Sequence, residues 1–215
     1  MDAIGSGAGY PNDDVQGFLA APGTYTVSLS KRMRGETTEL VGPQEFQVER
    51  LRKGALDGAE PTEIVAFWDR LAKLQRGVTA AQQATNHLEK KVADLKVALG
   101  RTRSAPEGLD DQWHALQTEL MDIKEILSGN QAMASVGQDP QATLEIRLGK
   151  VLIGTAFSTY GPTPTHIQTL EYAETDFSTV RSRLNTLQQA TIPAFSSALI
   201  EAGAPWTPGD PVPEQ

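Results

Sequence analysis

The sequence contains no cysteine, which excludes disulfide bonds, thiolate catalysis and metal sites built on sulfur. It has no run of about 18 consecutive apolar residues, so no segment is predicted to span a membrane. With a net charge of -8, it lacks the basic stripe that sequence-independent nucleic-acid binding requires. Lys31, Arg32 and Arg34 form a small basic cluster, which we expect at the tip of a hairpin. No nucleic-acid partner is therefore expected.

A metal-binding or catalytic pattern is also lacking. The three histidines lie on separate predicted helices, and none pairs with a second ligand at i+3 or i+4 in a recognised metal pattern. A di-iron bundle needs Glu-x-x-His pairs, which the helical glutamates do not form, so we interpret these carboxylates as a solvated face. The residues concerned are His87, His114, His166, Glu145, Glu171 and Glu174.

Three further candidates for chemistry have simpler interpretations. Ser196 and Ser197 lie within a predicted helix with no nearby base. Gly5, Gly7 and Gly9 lack the flanking strand and helix of a dinucleotide-binding loop. Asp139, directly before Pro140, is expected to cap a helix, with a place on a functional surface as the less favoured alternative. We therefore predict no catalytic, cofactor-binding or metal-binding residues and no cofactor.

Aromatic residues make up only 6% of the chain, which favours a helical bundle built from Leu, Val, Ile and Ala. The dominant signal is a heptad pattern over Ile64–Leu99, in which steps of three and four residues alternate for about five heptads. This pattern predicts a long helix whose stripe must be covered by other helices. The residues of this seam are Ile64, Phe67, Leu71, Leu74, Val78, Ala81, Thr85, Leu88, Val92, Leu95 and Leu99.

The fold class predicted from these patterns is mainly α: an up-down antiparallel four-helix bundle, preceded by a small β-hairpin or partial Ig-like segment. Pro61 is expected to begin the first helix and Gly100 to end it, while Asp110 or Asp111 caps the second. Gly77 is expected to mark a close helix contact or a slight bend. The bundle is placed at 59–203, with helices at about 61–99, 109–128, 141–159 and 164–202, the last kinked near Pro193.

The remaining segments flank this bundle. Residues 1–17 are rich in Gly, Asp and Asn and are predicted to be a linker. Residues 18–50 contain the period-two pattern of strands, with Tyr25, Val27 and Leu29 on one face and a second strand around Glu39–Val48. This hairpin either leans on the bundle or belongs to a larger β-sandwich. Residues 204–215 form a Pro-rich tail that is expected to be extended or disordered.

Several short motifs occur in the order found in one family. They are APGTYTV at 21–27, PQEFQV at 43–48, VGQDP at 136–140 and IRLGKVL at 146–152, followed by Pro162-Thr163 and IPAF at 192–195. In this order the chain resembles the C-terminal region of bacterial exported BNR-repeat, sortilin-like β-propeller proteins described as glycosyl hydrolases. The segment KRMRGETTEL, interpreted as the hairpin loop, is longer and more basic than that family's usual turn.

The resemblance implies that any hydrolytic carboxylates belong to a propeller outside this chain. It implies export from the cell, and it implies that the partner is the β-propeller domain of the same parent protein or another protein surface. The chain is thus predicted to be a non-catalytic structural or interaction module. Two alternatives stay open: a self-associating coiled coil, in which the seam forms a homodimer, and an accessory part of a glycoside hydrolase.

Overall fold

A computed structural model describes residues 20–51, 54, 57–130, 133, 135–137, 142–156, 158 and 160–209. In this part of the chain, an antiparallel hairpin of two strands precedes a mainly helical region, which confirms the predicted mainly α class with a preceding hairpin. The predicted linker at 1–17 lies outside the described residues, as do Asp139 and Pro140.

The described helices begin close to their predicted starts, except at the third. They are α1 (Pro61–Arg101), α2 (Leu109–Ser128), α3 (Leu144–Ala156), α4 (Pro164–Thr186) and α5 (Ile192–Glu201), with a π-helical turn at Leu187–Thr191 between α4 and α5. None of these helices is long and apolar enough to cross a membrane.

The hairpin is formed by β1 (Gly23–Met33) and β2 (Glu36–Val48). Arg34 and Gly35 connect them with φ angles of 53° and 88°, the left-handed conformations of a type I′ turn. Because this turn matches the twist of the strands, pairing continues as far as Met33 and Glu36. The longer basic loop expected from the sequence is therefore wrong, and the basic residues lie at the strand end and in the turn.

The seam of α1 is buried along its whole length. Every predicted seam residue, from Ile64 to Leu99, is at most 8% exposed. The one polar member, Thr85, satisfies its hydroxyl by donating to the Ala81 carbonyl at 2.8 Å. Burial of this stripe supplies the apolar contact that a helix of this length needs in water.

Gly77 marks a close contact in α1, which is one of the two roles that the sequence predicted for this residue. A Cβ atom at this position would lie 2.6 Å from Cζ of Phe177 on α4. The absence of a side chain at Gly77 therefore lets the Phe177 ring lie against the α1 backbone. This contact explains why a residue that disfavours helices by about 1 kcal/mol relative to Ala stands inside α1.

Two helix ends differ from the sequence predictions. Helix α1 continues through Gly100 to Arg101, and the Thr102 N–H donates to the Leu99 carbonyl at 3.1 Å. At α2, the cap is Gly108 with a φ of 85°, while Asp110 and Asp111 lie in the first turn. In that turn their negative charges complement the positive end of the helix dipole. The helix has no side-chain hydrogen bond at its N-cap.

Threonines cap the next two helices. At α3, the Ile146 N–H donates to the Thr143 hydroxyl at 3.2 Å, so the cap comes after the predicted start at 141. At α4, the His166 N–H donates to the Thr163 hydroxyl at 3.3 Å, and the Thr163 N–H donates to His166 Nδ1 at 3.2 Å. This reciprocal pair is a capping box in which histidine replaces the usual glutamate.

The interruption expected near Pro193 takes the form of the π-helical turn, which ends two residues before the proline. Proline cannot donate a backbone hydrogen bond, and its ring crowds the carbonyl four residues earlier. A π turn relieves this conflict by widening the helix locally. Thr186, Thr191 and Ile192 keep right-handed helical angles, so the backbone passes from α4 to α5 without leaving the helix.

The chain divides into two compact units. The first runs up to Ala72 and also takes in Leu152–Ile167, and the second comprises Lys73–Val151 and Gln168–Gln215. In the first unit, the Ala59 N–H donates to the Tyr160 carbonyl at 2.9 Å. This bond holds the connector after the hairpin against the segment between α3 and α4.

In the second unit, part of the predicted extended tail is fixed to α1. The Lys91 ammonium donates to the Thr207 hydroxyl at 3.2 Å and to the Pro208 carbonyl at 2.8 Å. Thr207 itself is buried. Residues 204–209 thus have a defined place, and residues 210–215 lie outside the described part of the chain.

Candidate functional site

The two faces of the hairpin differ in polarity: one carries most of its large apolar side chains together with Lys31, Glu36, Thr38 and Gln44, and the other is polar. The register places Tyr25 opposite Phe46 and Leu29 opposite Val41, and Val27 and Met33 lie on the same side because side chains alternate along a strand. We call these six residues the hairpin face: Tyr25, Val27, Leu29, Met33, Val41 and Phe46. The opposite face carries Thr24, Thr26, Ser28, Ser30, Arg32, Thr37, Glu39, Glu45 and Gln47.

The hairpin face is exposed to solvent. Apart from Tyr25, which is half-buried, each of its residues is between 47% and 57% exposed. The Tyr25 and Phe46 rings stack with their centroids 6.0 Å apart, and the Tyr25 hydroxyl donates to the Ala21 carbonyl at 2.8 Å. These contacts hold two aromatic rings in place at one end of an uncovered apolar surface.

The exposure of this face leaves large apolar side chains in contact with solvent. Hairpins of two strands are marginally stable in water, and contiguous exposed apolar residues mark interaction sites. The hairpin face is therefore the strongest candidate for a functional surface among the described residues.

A groove lies between α2 and the α4–α5 helix in the second unit. It is open to solvent and has a volume of about 530 Å³. Its lining includes the apolar residues Leu116, Leu187 and Phe195, and Leu187 and Thr191 belong to the π-helical turn. The other lining residues are Gln112, Ala115, Glu119, Ser182, Arg183, Thr186, Thr191 and Ala194.

An ion pair crosses this groove. Arg183 donates from Nε and Nη2 to the two carboxylate oxygens of Glu119, at 2.6 and 2.8 Å. The carboxylate of Asp122 lies 3.6 Å from the same Nη2. The hydrogen bonds from Arg183 hold the pKa of Glu119 below its ordinary value of 4.5, although burial acts in the opposite direction. Glu119 is thus an ionised partner of Arg183 at neutral pH and is not tuned to act as a general acid.

This pair predicts a pH dependence of stability. Because folding lowers the pKa of Glu119, its contribution is present above the ordinary value and is lost as the pH falls through the folded value. The pair is partly exposed, so we expect a contribution of about 1 kcal/mol or less. On acidification from about pH 6 to pH 3, the Glu119→Gln variant should lose less unfolding free energy than the wild type in urea titrations.

The matched control for this prediction is Glu125→Gln, which alters an exposed glutamate of the same helix. This variant should keep the acid sensitivity of the wild type. Equal acid sensitivity of Glu119→Gln and the wild type would contradict the assignment of the stabilising carboxylate.

Those residues singled out from the sequence that the structure describes are not brought together into one site. His87 is exposed, His114 pairs with Asp110 at 3.4 Å, and His166 belongs to the α4 cap. Glu145 and Glu171 are exposed, as expected of a solvated face, and Glu174 is half-buried. Among the described residues, no group of three or more His, Asp or Glu side chains could hold a metal ion.

The two serines take different environments on α5. Ser196 is buried, and its hydroxyl has no hydrogen-bond partner among the described residues, whereas Ser197 is exposed. Neither lines the groove. The pair Glu119–Arg183 was not predicted from the sequence, because charges on two helices can be matched only once the register of those helices is known.

No protein-family model matches the chain, and no significant match was found among curated proteins or solved structures.

Proposed function

We propose that the chain is a non-catalytic structural and interaction module, and that its hairpin face docks on an apolar β-sheet of a protein partner. The observation that carries this proposal is the exposure of Val27, Leu29 and Phe46 on one side of a sheet whose other side is polar. An amphipathic sheet of this kind gains stability when its apolar face packs on a second sheet, as in β-sandwiches.

The helices act as the scaffold in this proposal, arranged as an up-down antiparallel four-helix bundle. Contacts between α1 and α2 support this topology: Lys96 pairs with Asp110, whereas Glu89 pairs with Lys124. The later residue of α1 thus pairs with the earlier residue of α2, as expected of two antiparallel helices. The short connection between these helices agrees with the same arrangement.

For the partner, we propose the β-propeller or Ig-like part of a larger exported protein, on the strength of the motif order described above. The proposal predicts propeller repeats in the same reading frame before the codon for Met1. A gene in which the same frame encodes no such repeats would contradict this parentage and leave the docking proposal untouched.

The alternative of a coiled-coil homodimer has less support. The seam that would form the dimer interface is buried within a single chain, so dimerisation would require the helices to separate. The alternative of an accessory hydrolase part is opposed by the groove, whose lining carboxylate belongs to Glu119 and is paired with Arg183. Glycoside hydrolysis needs one carboxyl group with a raised pKa.

The docking proposal is tested with the fluorescent probe 1-anilinonaphthalene-8-sulfonate, which binds exposed apolar surface. We expect the folded chain to enhance its fluorescence and a Val27→Thr, Leu29→Thr, Val41→Thr triple variant to lose most of that signal. Threonine is β-branched, a shape that strands favour, so the hairpin itself should persist.

The matched control replaces three scattered exposed residues of the helices, as Val97→Gln, Met121→Gln and Ile153→Gln. This variant should retain the signal of the wild type. An equal loss in both variants, or no signal from the folded wild type, would overturn the proposal. Turnover of any substrate in a panel of glycosides by the purified chain would likewise rule out a non-catalytic module.

A further inference from the structure

The two edges of the hairpin differ in a way that the proposed docking does not explain. In the described chain the sheet has two strands, so β1 and β2 each have one edge of unpaired backbone N–H and C=O groups. Such edges invite pairing with another chain, and proteins usually block them with proline, charge, bulges or cover. The question is which of the two edges is blocked.

The edge of β2 carries several blocking features. Pro43 lies inside the strand and lacks an N–H, and Glu36, Glu39 and Glu45 add charge. The pairing register shifts twice, between Val27 and Leu29 and between Leu29 and Ser30. Strand β2 has 13 residues and β1 has 11, so the extra residues lie in β2. The extra residues of β2 bulge, and bulges disrupt strand addition.

The edge of β1 has none of these features over most of its length. Residues 23–30 read GTYTVSLS, without charge, proline or an inserted residue. They are rich in β-branched and aromatic residues that favour strands. A free edge with this composition is an aggregation hazard unless it is paired.

We propose that the outer edge of β1 pairs with a β-strand of a partner, so that β1 becomes an interior strand of a larger sheet. This inference rests on the proposed function, since it specifies how the partner's sheet joins the hairpin. The partner strand adds backbone hydrogen bonds along 23–30, while side chains on one side of it extend the hairpin face.

The chemistry of β1 specifies the partner strand. The partner strand is expected to carry apolar side chains beside Tyr25, Val27 and Leu29 of β1. It is expected to carry polar side chains beside the threonines and serines of β1. Lys31 and Arg32 follow the uncharged segment, so acidic residues are expected at that end of the partner strand. In an antiparallel arrangement this is the partner strand's N-terminal end.

A second copy of the chain fits this edge less well than a different strand. Strand β1 contains no acidic residue. In an antiparallel pair of two β1 strands centred on Val27, Lys31 would lie opposite Gly23 and would find no carboxylate. Charge complementarity therefore favours a foreign strand over self-association.

The turn identifies which N–H groups of β1 point outward. Met33 and Glu36 flank a turn of two residues and form a hydrogen-bonded pair, so the alternate residues of β1, including Ser28, direct their N–H groups away from β2. Ser28→Pro removes an outward N–H without removing a bond between the strands. Thr37→Pro does the same on the outer edge of β2 and is the matched control.

The probe is a synthetic peptide of about ten residues that begins with two glutamates and continues with alternating valine and threonine. Binding is measured by fluorescence anisotropy on the full chain. We expect binding to the wild type and to Thr37→Pro, and at least about tenfold weaker binding to Ser28→Pro. A peptide with N-methylated backbone amides should also bind at least about tenfold more weakly, because it cannot pair with an edge.

Nuclear Overhauser effects between the Tyr25 and Phe46 rings are the control for folding. Their retention in a proline variant shows that the variant keeps the hairpin. Equal binding of the N-methylated peptide would overturn edge pairing while leaving docking through the hairpin face intact. Loss of binding in Thr37→Pro alone, or no binding to the wild type, would also overturn the inference. A wild-type dimer that Ser28→Pro dissociates would assign the edge to a second copy and contradict the foreign strand.

Discussion

Replacing Leu95 by alanine is expected to lower the free energy of unfolding by about 3 kcal/mol. Leu95 is fully buried at the centre of the C-terminal half of α1. Its truncation removes apolar contact and leaves a cavity that the surrounding helices fill only in part. The change is measured by urea denaturation followed by far-UV circular dichroism.

The control for Leu95→Ala is Val97→Ala, two residues further along the same helix. Val97 is 52% exposed, and alanine favours helices more than valine, so this variant should differ from the wild type by less than about 0.5 kcal/mol. Similar effects of the two substitutions would contradict the burial of the seam within one chain.

Trp113 provides the second large effect, because it combines packing with a specific hydrogen bond. Its indole N–H donates to the Val92 carbonyl of α1 at 2.8 Å, and the Lys96 ammonium lies 4.2 Å from the ring centroid. Trp113→Ala removes the ring as well as the bond and should cost about 3–5 kcal/mol. Trp113→Phe keeps most of the apolar contact, so its cost should be nearer the 1 kcal/mol or so of one hydrogen bond.

The same urea titrations test this pair of variants. A tryptophan that joins α2 to α1 should give a clear order of stability, with the wild type highest, Trp113→Phe next and Trp113→Ala lowest. If Trp113→Ala were as stable as the wild type, the ring could not be part of the contact between these helices.

The heptad pattern predicted α1 well because its signal is local and repeated. Each step of three or four residues returns to the same side of the helix, and all the residues so identified, from Ile64 to Leu99, are buried. The buried residues of α2, which include Trp113 and Ile123, follow the same alternation of steps of three and four residues. Ile167 shows the limit of such spacing, since it lies three residues before the fully buried Leu170 of α4 and yet is 36% exposed near the helix end.

Helix ends and the hairpin turn were less predictable. Gly100 fits a helix stop, but the helix continues one residue past it, whereas Gly108 and Thr143 became caps without a distinctive signal. Arginine rarely adopts a left-handed conformation, so the sequence favoured a longer loop around Arg34, which has a φ of 53°. Pairing of the flanking strands outweighed this local preference.

The functional surfaces depend on information that a single sequence does not contain. The alternation of Tyr25, Val27 and Leu29 predicted an apolar face, but its exposure to solvent is known only from the folded structure. The Glu119–Arg183 pair requires the register between α2 and α4, which apolar periodicity does not specify. Exposure and register are tertiary properties, and the surfaces proposed here rest on them.

Amide hydrogen exchange of the isolated wild-type chain tests most directly the claim that the hairpin is an uncovered surface carried by a stable helical scaffold. The account predicts that outward amides of β1, such as that of Ser28, exchange at nearly unprotected rates, while amides around Leu95 exchange only through global unfolding. Protection of the β1 amides equal to that of α1 would contradict the account, because the hairpin would then already be covered within this chain.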